Sequence, residues 1–331
     1  MKKVIMFVLT AMVLSSCSDF IDLKPIDFPT EETFYKDVKG LEGAVIGIYD
    51  ELQSSDQYGA KFMTLMEVRG DNVKNDNSGA SGGITYQIEV FTETPANSNL
   101  SGAWLSLYKT IYRCNLVLQN VEEVPMSDEQ RSRIAGQASF IRALCYFNLV
   151  RLWGEVPIIT KTQTVAEARN NKRAPIDEVY GQIISDLAVA KGLPAVWPES
   201  ERGRATSYAA HALLAKVYLY RKNYQEVVNE LAPVVAAIHA GKDLMLVPMP
   251  QTFPNDLKTS KDIIFAVQYL KGGVGESVHQ NNRPARCSAR VLLHSGIKHL
   301  IRPVNVTMTM AISSHWSKRS LKATRITVRP W

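Results

Sequence analysis

The sequence predicts a mainly α protein, a tetratricopeptide-like α/α superhelix with a loop-rich ligand face and few short strands. Three observations carry this. Apolar residues recur at three- and four-residue steps in six segments of the body. Those segments open on capping residues. Two of them, Arg204–Tyr220 and Tyr224–Ile238, are joined by the tight turn Arg221-Lys222-Asn223, with small Ala on the packing face and Tyr near the turn. A single hairpin of this kind cannot bury its apolar face, so the six segments are expected to stack.

The first segment opens at Thr30–Thr33. It carries Phe34, Val38, Leu41, Val45, Ile48 and Tyr49 on one face. Residues Gly70 to Asn99 are rich in Asn, Gly, Ser and Thr, and only Ile84–Phe91 reads as strand. A polar stretch this long between helices is often a functional loop. Helix resumes over Ser101–Val121. The next runs from Ser127 to Trp153, where Ser127 and Gln130 have the spacing of a capping box. Arg173–Gly192 follows, opened by Pro175 in its first turn. After the hairpin, Ile263–Tyr269 reads as a strand.

The two ends differ from the body. Lys2 and Lys3 precede the apolar run Val4–Leu14, and Leu14-Ser15-Ser16-Cys17 follows. A charged head, a short apolar run and a small-residue exit make a secretory signal over residues 1–16. The Leu-Ser-Ser-Cys box resembles the bacterial lipobox, which makes Cys17 the expected site of lipidation. Two or more acyl chains hold a protein stably at a membrane. Residues 17–29 then read as an extended tether.

At the other end, residues 281–331 hold ten of the 38 Lys and Arg but none of the 32 Asp and Glu. Without that stretch the formal charge is −4 rather than +6. A basic arm for nucleic acid is one reading. The stretch lacks low complexity and a regular helical face, so residues 277–331 are read instead as an out-of-frame or disordered basic tail, with no nucleic-acid partner. The remaining cysteines, Cys114, Cys145 and Cys287, have no CxxC or metal-ligand spacing. Cys114 and Cys145 lie in apolar helical patterns, as core thiols do, although an exported protein could join them.

Signals for catalysis are absent: there is no GxSxG, HExxH or P-loop. Glu31-Glu32 and Glu122-Glu123 sit at helix ends, where solvated acids are ordinary. His211 fits a packed histidine in an Ala-rich helix. Asp71-Asn72 and Asn75-Asp76-Asn77 could offer oxygens to Ca²⁺, but without EF-hand spacing. Sugar binding needs aromatic platforms with planar polar groups. The loop supplies Arg69, Asp71, Asn72, Tyr86, Phe91, Asn97 and Asn99 as candidates. Trp104, Tyr108, Trp153 and Tyr180 fall in the helical pattern and read as core.

Several runs together resemble the SusD/RagB family of outer-membrane nutrient-binding lipoproteins. They are Phe140–Pro157 (FIRALCYFNLVRLWGEVP), Arg173–Tyr180 (RAPIDEVY), Gly203–Thr206 (GRAT), Ala212–Tyr220 (ALLAKVYLY), Trp104–Asn115 and Asp262–Gly275. The resemblance spans residues 17–276 and ends near Gly275. It implies a SusD-like helical-repeat domain over 30–276. It also implies a surface lipoprotein that binds an oligosaccharide or other nutrient, without enzymatic chemistry, as a lid on a SusC-like TonB-dependent transporter. The alternative is a helical-repeat scaffold that only docks to a partner protein; a hydrolase is a third reading. For the tail, the expected outcome at the nucleotide level is that an alternative frame continues the composition of residues 1–280; if neither frame does, the out-of-frame reading fails.

Overall fold

The computed structural model describes residues 34–70, 73, 79, 83–246 and 261–269, and the backbone of 290–294. Cys17, the tether and most of the basic tail lie outside these residues. Among the described residues the chain is helical apart from one antiparallel strand pair.

Helix α1 spans Val38–Leu52, and Asp37 caps it by accepting the Gly40 N–H at 2.7 Å. The expected start at Thr30 is therefore not the start of this helix. Thr30–Thr33 lie outside the described residues, and Phe34 packs edge-on against Tyr35. Of the predicted face, Leu41, Val45 and Ile48 are buried and Val38 and Tyr49 half-buried, and Leu52 extends the stripe by a turn. Helix α2, Lys61–Val68, was not foreseen; it buries Phe62, Leu65 and Val68.

Ile84–Glu89 forms helix α3, not the expected strand. The eight-residue run ITYQIEVF satisfies both periods. What decides is that Ile88 is fully buried, one turn on from Ile84, whereas Tyr86 and Val90 are exposed together.

Helix α4, Ser98–Asn120, begins three residues before the sequence-based start, because Asn97 is its cap. Helix α5, Asp128–Trp153, opens on the expected capping box of Ser127 and Gln130. It is the centre of the fold. Every residue from Gly136 to Val150 is buried, polar ones included. It packs antiparallel to α4 on one side and to helix α7, Ile176–Ala190, on the other. Gly136 of α5 fits against the chain just past α7, where a Cβ would lie 2.9 Å from the Leu193 side chain.

Between α5 and α7, Thr164 and Glu167 form a second capping box on the single turn α6, Val165–Ala168. Pro175 stands at the cap of α7 rather than within its first turn. Helices α8, Ser207–Tyr220, and α9, Tyr224–Ala240, form the hairpin. Its turn is a Schellman closure: Lys222 N–H donates to Leu219 O and Asn223 N–H to Tyr218 O, both at 3.0 Å, with Lys222 at φ +59°.

Strand β1, Ile263–Val267, falls where expected and pairs antiparallel with β2, Arg290–His294. Phe265 meets Phe140 of α5 edge-to-face at 4.9 Å. Cys114 and Cys145 are both buried free thiols. Burial pushes both well above the ordinary thiol range, so they act as apolar filling.

One buried ion pair ties the layers together. Arg142, 8% exposed on α5, grips Asp186 of α7 with Nε–Oδ2 at 2.9 Å and Nη2–Oδ1 at 2.6 Å. Its Nη1 donates to Asn115 Oδ1 of α4 at 2.8 Å, and Asn115 Nδ2 donates to Ile159 O at 2.9 Å. Gln182 adds a bond to Asp186 Oδ1 at 2.9 Å. Burial pushes the Asp186 carboxyl upward, while Arg142 and Gln182 pull it back. Removing one partner leaves the other charge buried and alone. Asp186→Ala should therefore lower stability by about 3–5 kcal/mol in urea unfolding, whereas the apolar double replacement Arg142→Met with Asp186→Leu should recover most of that loss. A cost under about 1 kcal/mol for Asp186→Ala, a value ordinary for an exposed pair, would show the pair to be dispensable.

Candidate functional site

The residues named from the polar loop gather where α3 meets the start of α4, but they do different jobs. Asp71 and Asn72, and the Ca²⁺ reading of Asp71-Asn72 and Asn75-Asp76-Asn77, fall outside the described residues. Among the described residues no group of three or more His, Cys, Asp and Glu could hold a metal ion.

Asn97 is 3% exposed and its amide is fully committed. The Oδ1 accepts the Asn99 N–H at 3.0 Å, and the Nδ2 donates to Ile84 O at 2.8 Å and to Gln87 Oε1 at 3.1 Å. It fixes α3 to the cap of α4, which is framework rather than contact surface. Asn99 sits half-exposed in the first turn of α4. Arg69, just past α2, is paired with Glu93. Arg69 Nε and Glu93 Oε2 are buried without a partner among the described residues. Such atoms ordinarily find a bond, so this pair holds unspent hydrogen-bonding capacity at the edge of the loop.

Phe91 is the decisive residue. It closes α3 as the left-handed residue of a Schellman motif: Phe91 N–H reaches Ile88 O at 3.4 Å and Thr92 N–H reaches Gln87 O at 2.9 Å. That position usually belongs to Gly, because a side chain there pays a steric cost of about 1–2 kcal/mol. Here it holds a phenyl ring at φ +56°, 68% exposed. Tyr86, on the same short helix, is 39% exposed. Phe91 thus combines a solvated aromatic ring with a left-handed backbone position that disfavours a side chain.

The neighbouring aromatics are supports. Trp104 stacks edge-on with Trp153 at 5.2 Å and tilted on Tyr108 at 4.9 Å. Tyr108 donates its hydroxyl to Pro157 O at 2.8 Å, and burial pushes that hydroxyl far upward. Tyr180 is buried beneath Arg221. His211 is half-buried, and its Nδ1 pairs with Glu230 Oε2 at 2.7 Å, a surface-layer link between α8 and α9.

A cleft of about 360 Å³ between the α7–α8 connection and β1 had no signal in the sequence. Trp197 lines it but is not a free platform. Arg133 and Arg204 lie over its ring at 4.6 and 5.6 Å, and its Nε1 donates to Ala205 O at 2.7 Å.

Residues 19–219 match the SusD-like family described as starch-binding and associating with the outer membrane. The chain belongs to the SusD-like family. A SusD-like protein P2 from Formosa agariphila is 31% identical over 277 residues, 82% of this chain and 54% of that relative. A SusD-like protein from Bacteroides ovatus is 30% identical over 67% of this chain and 40% of its own. Among solved structures, a SusD-like protein from Bacteroides fragilis superposes with a TM-score of 0.64 at 27% identity, covering 74% of this chain and 47% of that one. A structure described as a laminarin binding SusD-like protein gives 0.62 at 26% identity, over 71% of this chain and 52% of that one. The chain thus spans about half the length of these SusD-like relatives.

The two roles assigned to Phe91, strained cap and exposed platform, separate by substitution. Phe91→Gly should raise unfolding stability by about 1 kcal/mol by relieving the left-handed strain, yet weaken glycan binding in affinity electrophoresis. Loss of stability in this variant would mean the ring is packing, not presenting.

Proposed function

We propose that this SusD-like protein is a glycan-capture lipoprotein of the outer membrane. It holds an oligosaccharide on a pre-formed surface site and delivers it to a SusC-like TonB-dependent transporter. The observation that carries the reading is the exposed Phe91 ring on a backbone position that disfavours any side chain. Tyr86 supplies a second ring, and the half-exposed Asn99 supplies an amide for sugar hydroxyls, with the Arg69–Glu93 pair beside them. Family membership supports the assignment, and so does the likeness to a laminarin binding relative.

Capture without a covalent step also fits how the acids are used. Asp186, Glu51, Glu93 and Glu230 are each engaged by a cation. A glycosidase would need two carboxylates facing one bond across open space. A lipid anchor at Cys17 would place the helical domain at the membrane face, where a transporter could receive the ligand.

Affinity electrophoresis and calorimetry against a panel of neutral and acidic glycans, laminarin included, should find at least one retained ligand with no turnover. Silence across the panel, with recovery of a transporter in a pull-down, would instead favour the docking scaffold.

A further inference from the structure

At the end of the bundle where α5 finishes and α8 turns into α9, Arg151 and Lys216 have no carboxylate partner among the described residues. Arg151 of α5 lies over the Phe147 ring at 4.4 Å and over the Tyr220 ring at 5.8 Å. The two rings meet edge-to-face at 5.2 Å. Arg151 Nε donates to Phe147 O at 3.2 Å and its Nη2 to Asn148 Oδ1 at 2.6 Å. Both acceptors are neutral, and the second Nη points to no partner among the described residues. Lys216 stands one turn before Tyr220 on the same face of α8. It is half-buried and has neither a hydrogen bond nor an ion pair among the described residues.

Elsewhere in the bundle a half-buried cation comes with a carboxylate. Lys191 has Glu230 at 3.0 Å and Arg113 has Glu51 at 3.1 Å, and even the exposed Arg221 nearby has Asp177 at 2.6 Å. Lys216 and Arg151 are the departure from that pattern. Burial first, and the Arg151 charge second, push the Lys216 ammonium down to about 8. An arrangement that crowds two like charges is unfavourable until an anion enters between them. Beside Arg151, Tyr220 is 50% exposed, so one open ring borders the charged spot.

We infer that Lys216 and Arg151 form a site for the carboxylate of an acidic sugar, with Tyr220 as the platform for its ring. This rests on the glycan-capture reading and narrows it to uronate-bearing chains. An Arg fork matches a carboxylate in a plane, a flexible ammonium closes the second side, and an aromatic face covers the apolar side of a pyranose.

The test uses tetragalacturonate, its neutral methyl ester and inorganic sulfate at matched ionic strength. Two readouts are followed on the full chain: calorimetric affinity, and acetylation of Lys216 by acetic anhydride measured by mass spectrometry. Tetragalacturonate should bind and protect Lys216. Lys216→Gln and Arg151→Gln should each weaken it about tenfold or more, the loss of one charge-assisted bond, and should leave the methyl ester unaffected. Unchanged affinity in both variants overturns the inference while glycan capture stands. Binding of neutral glycans with Lys216 still fully reactive toward acetylation in the presence of tetragalacturonate does the same. Protection by sulfate equal to that by tetragalacturonate shows an anion site without sugar recognition, and overturns it too. Failure of every glycan, with Lys216 unprotected, removes both readings together.

Discussion

The buried Arg142–Asp186 pair is the constraint on which the other layers depend. A guanidinium held in the middle of a fully buried helix must find acceptors on every side. It takes them from α7 through Asp186, from α4 through Asn115, and from the chain after α5 through Thr160 O at 3.4 Å. Three elements are thereby set in register by one side chain. Tyr146, one turn on, repeats the logic: its hydroxyl donates to Ile159 O at 2.9 Å and accepts the Ile159 N–H at 2.7 Å. Gln57 does the same for the outer layer, donating to Thr110 Oγ1 at 2.6 Å and to Ser106. Such contacts are weak evidence of net stability but strong evidence of a single arrangement, since alternatives would leave these groups bare.

The helical architecture was legible because the outer helices are amphipathic. The stripe on α1 and the capping box of α5 could both be read from spacing. The centre was less legible. Helix α5 has no polar face, because Gln137, Ser139, Arg142 and Asn148 are buried with the rest, so its apolar positions alone understate its burial. Which acid Arg142 meets is set by a partner 44 residues away, and no local pattern carries that. Helix α3 was misread because six residues are too few to separate the two periods, and tertiary burial of Ile88 made the choice.

The candidate site was half legible for a related reason. Composition pointed to the loop, and Phe91 and Tyr86 do lie exposed there. Asn97 looked the same in sequence as any ligand-facing amide, yet capping absorbs both of its ends. The sign of φ at Phe91, the feature that distinguishes it, leaves no trace in residue order: a helix that stops on Phe reads like one that continues. The Lys216–Arg151 spot was hidden too, since those residues are 65 positions apart and lie within patterns that read as plain helix.

The seating of Phe265 on Phe140 also bears on how such an architecture can grow. A helical solenoid with a free last repeat can be lengthened by copying its terminal hairpin. Here β1, which follows α9 in the chain, lodges against the central helix and also touches α8. A copied α8–α9 pair inserted at that point would have to displace β1 from its berth on Phe140.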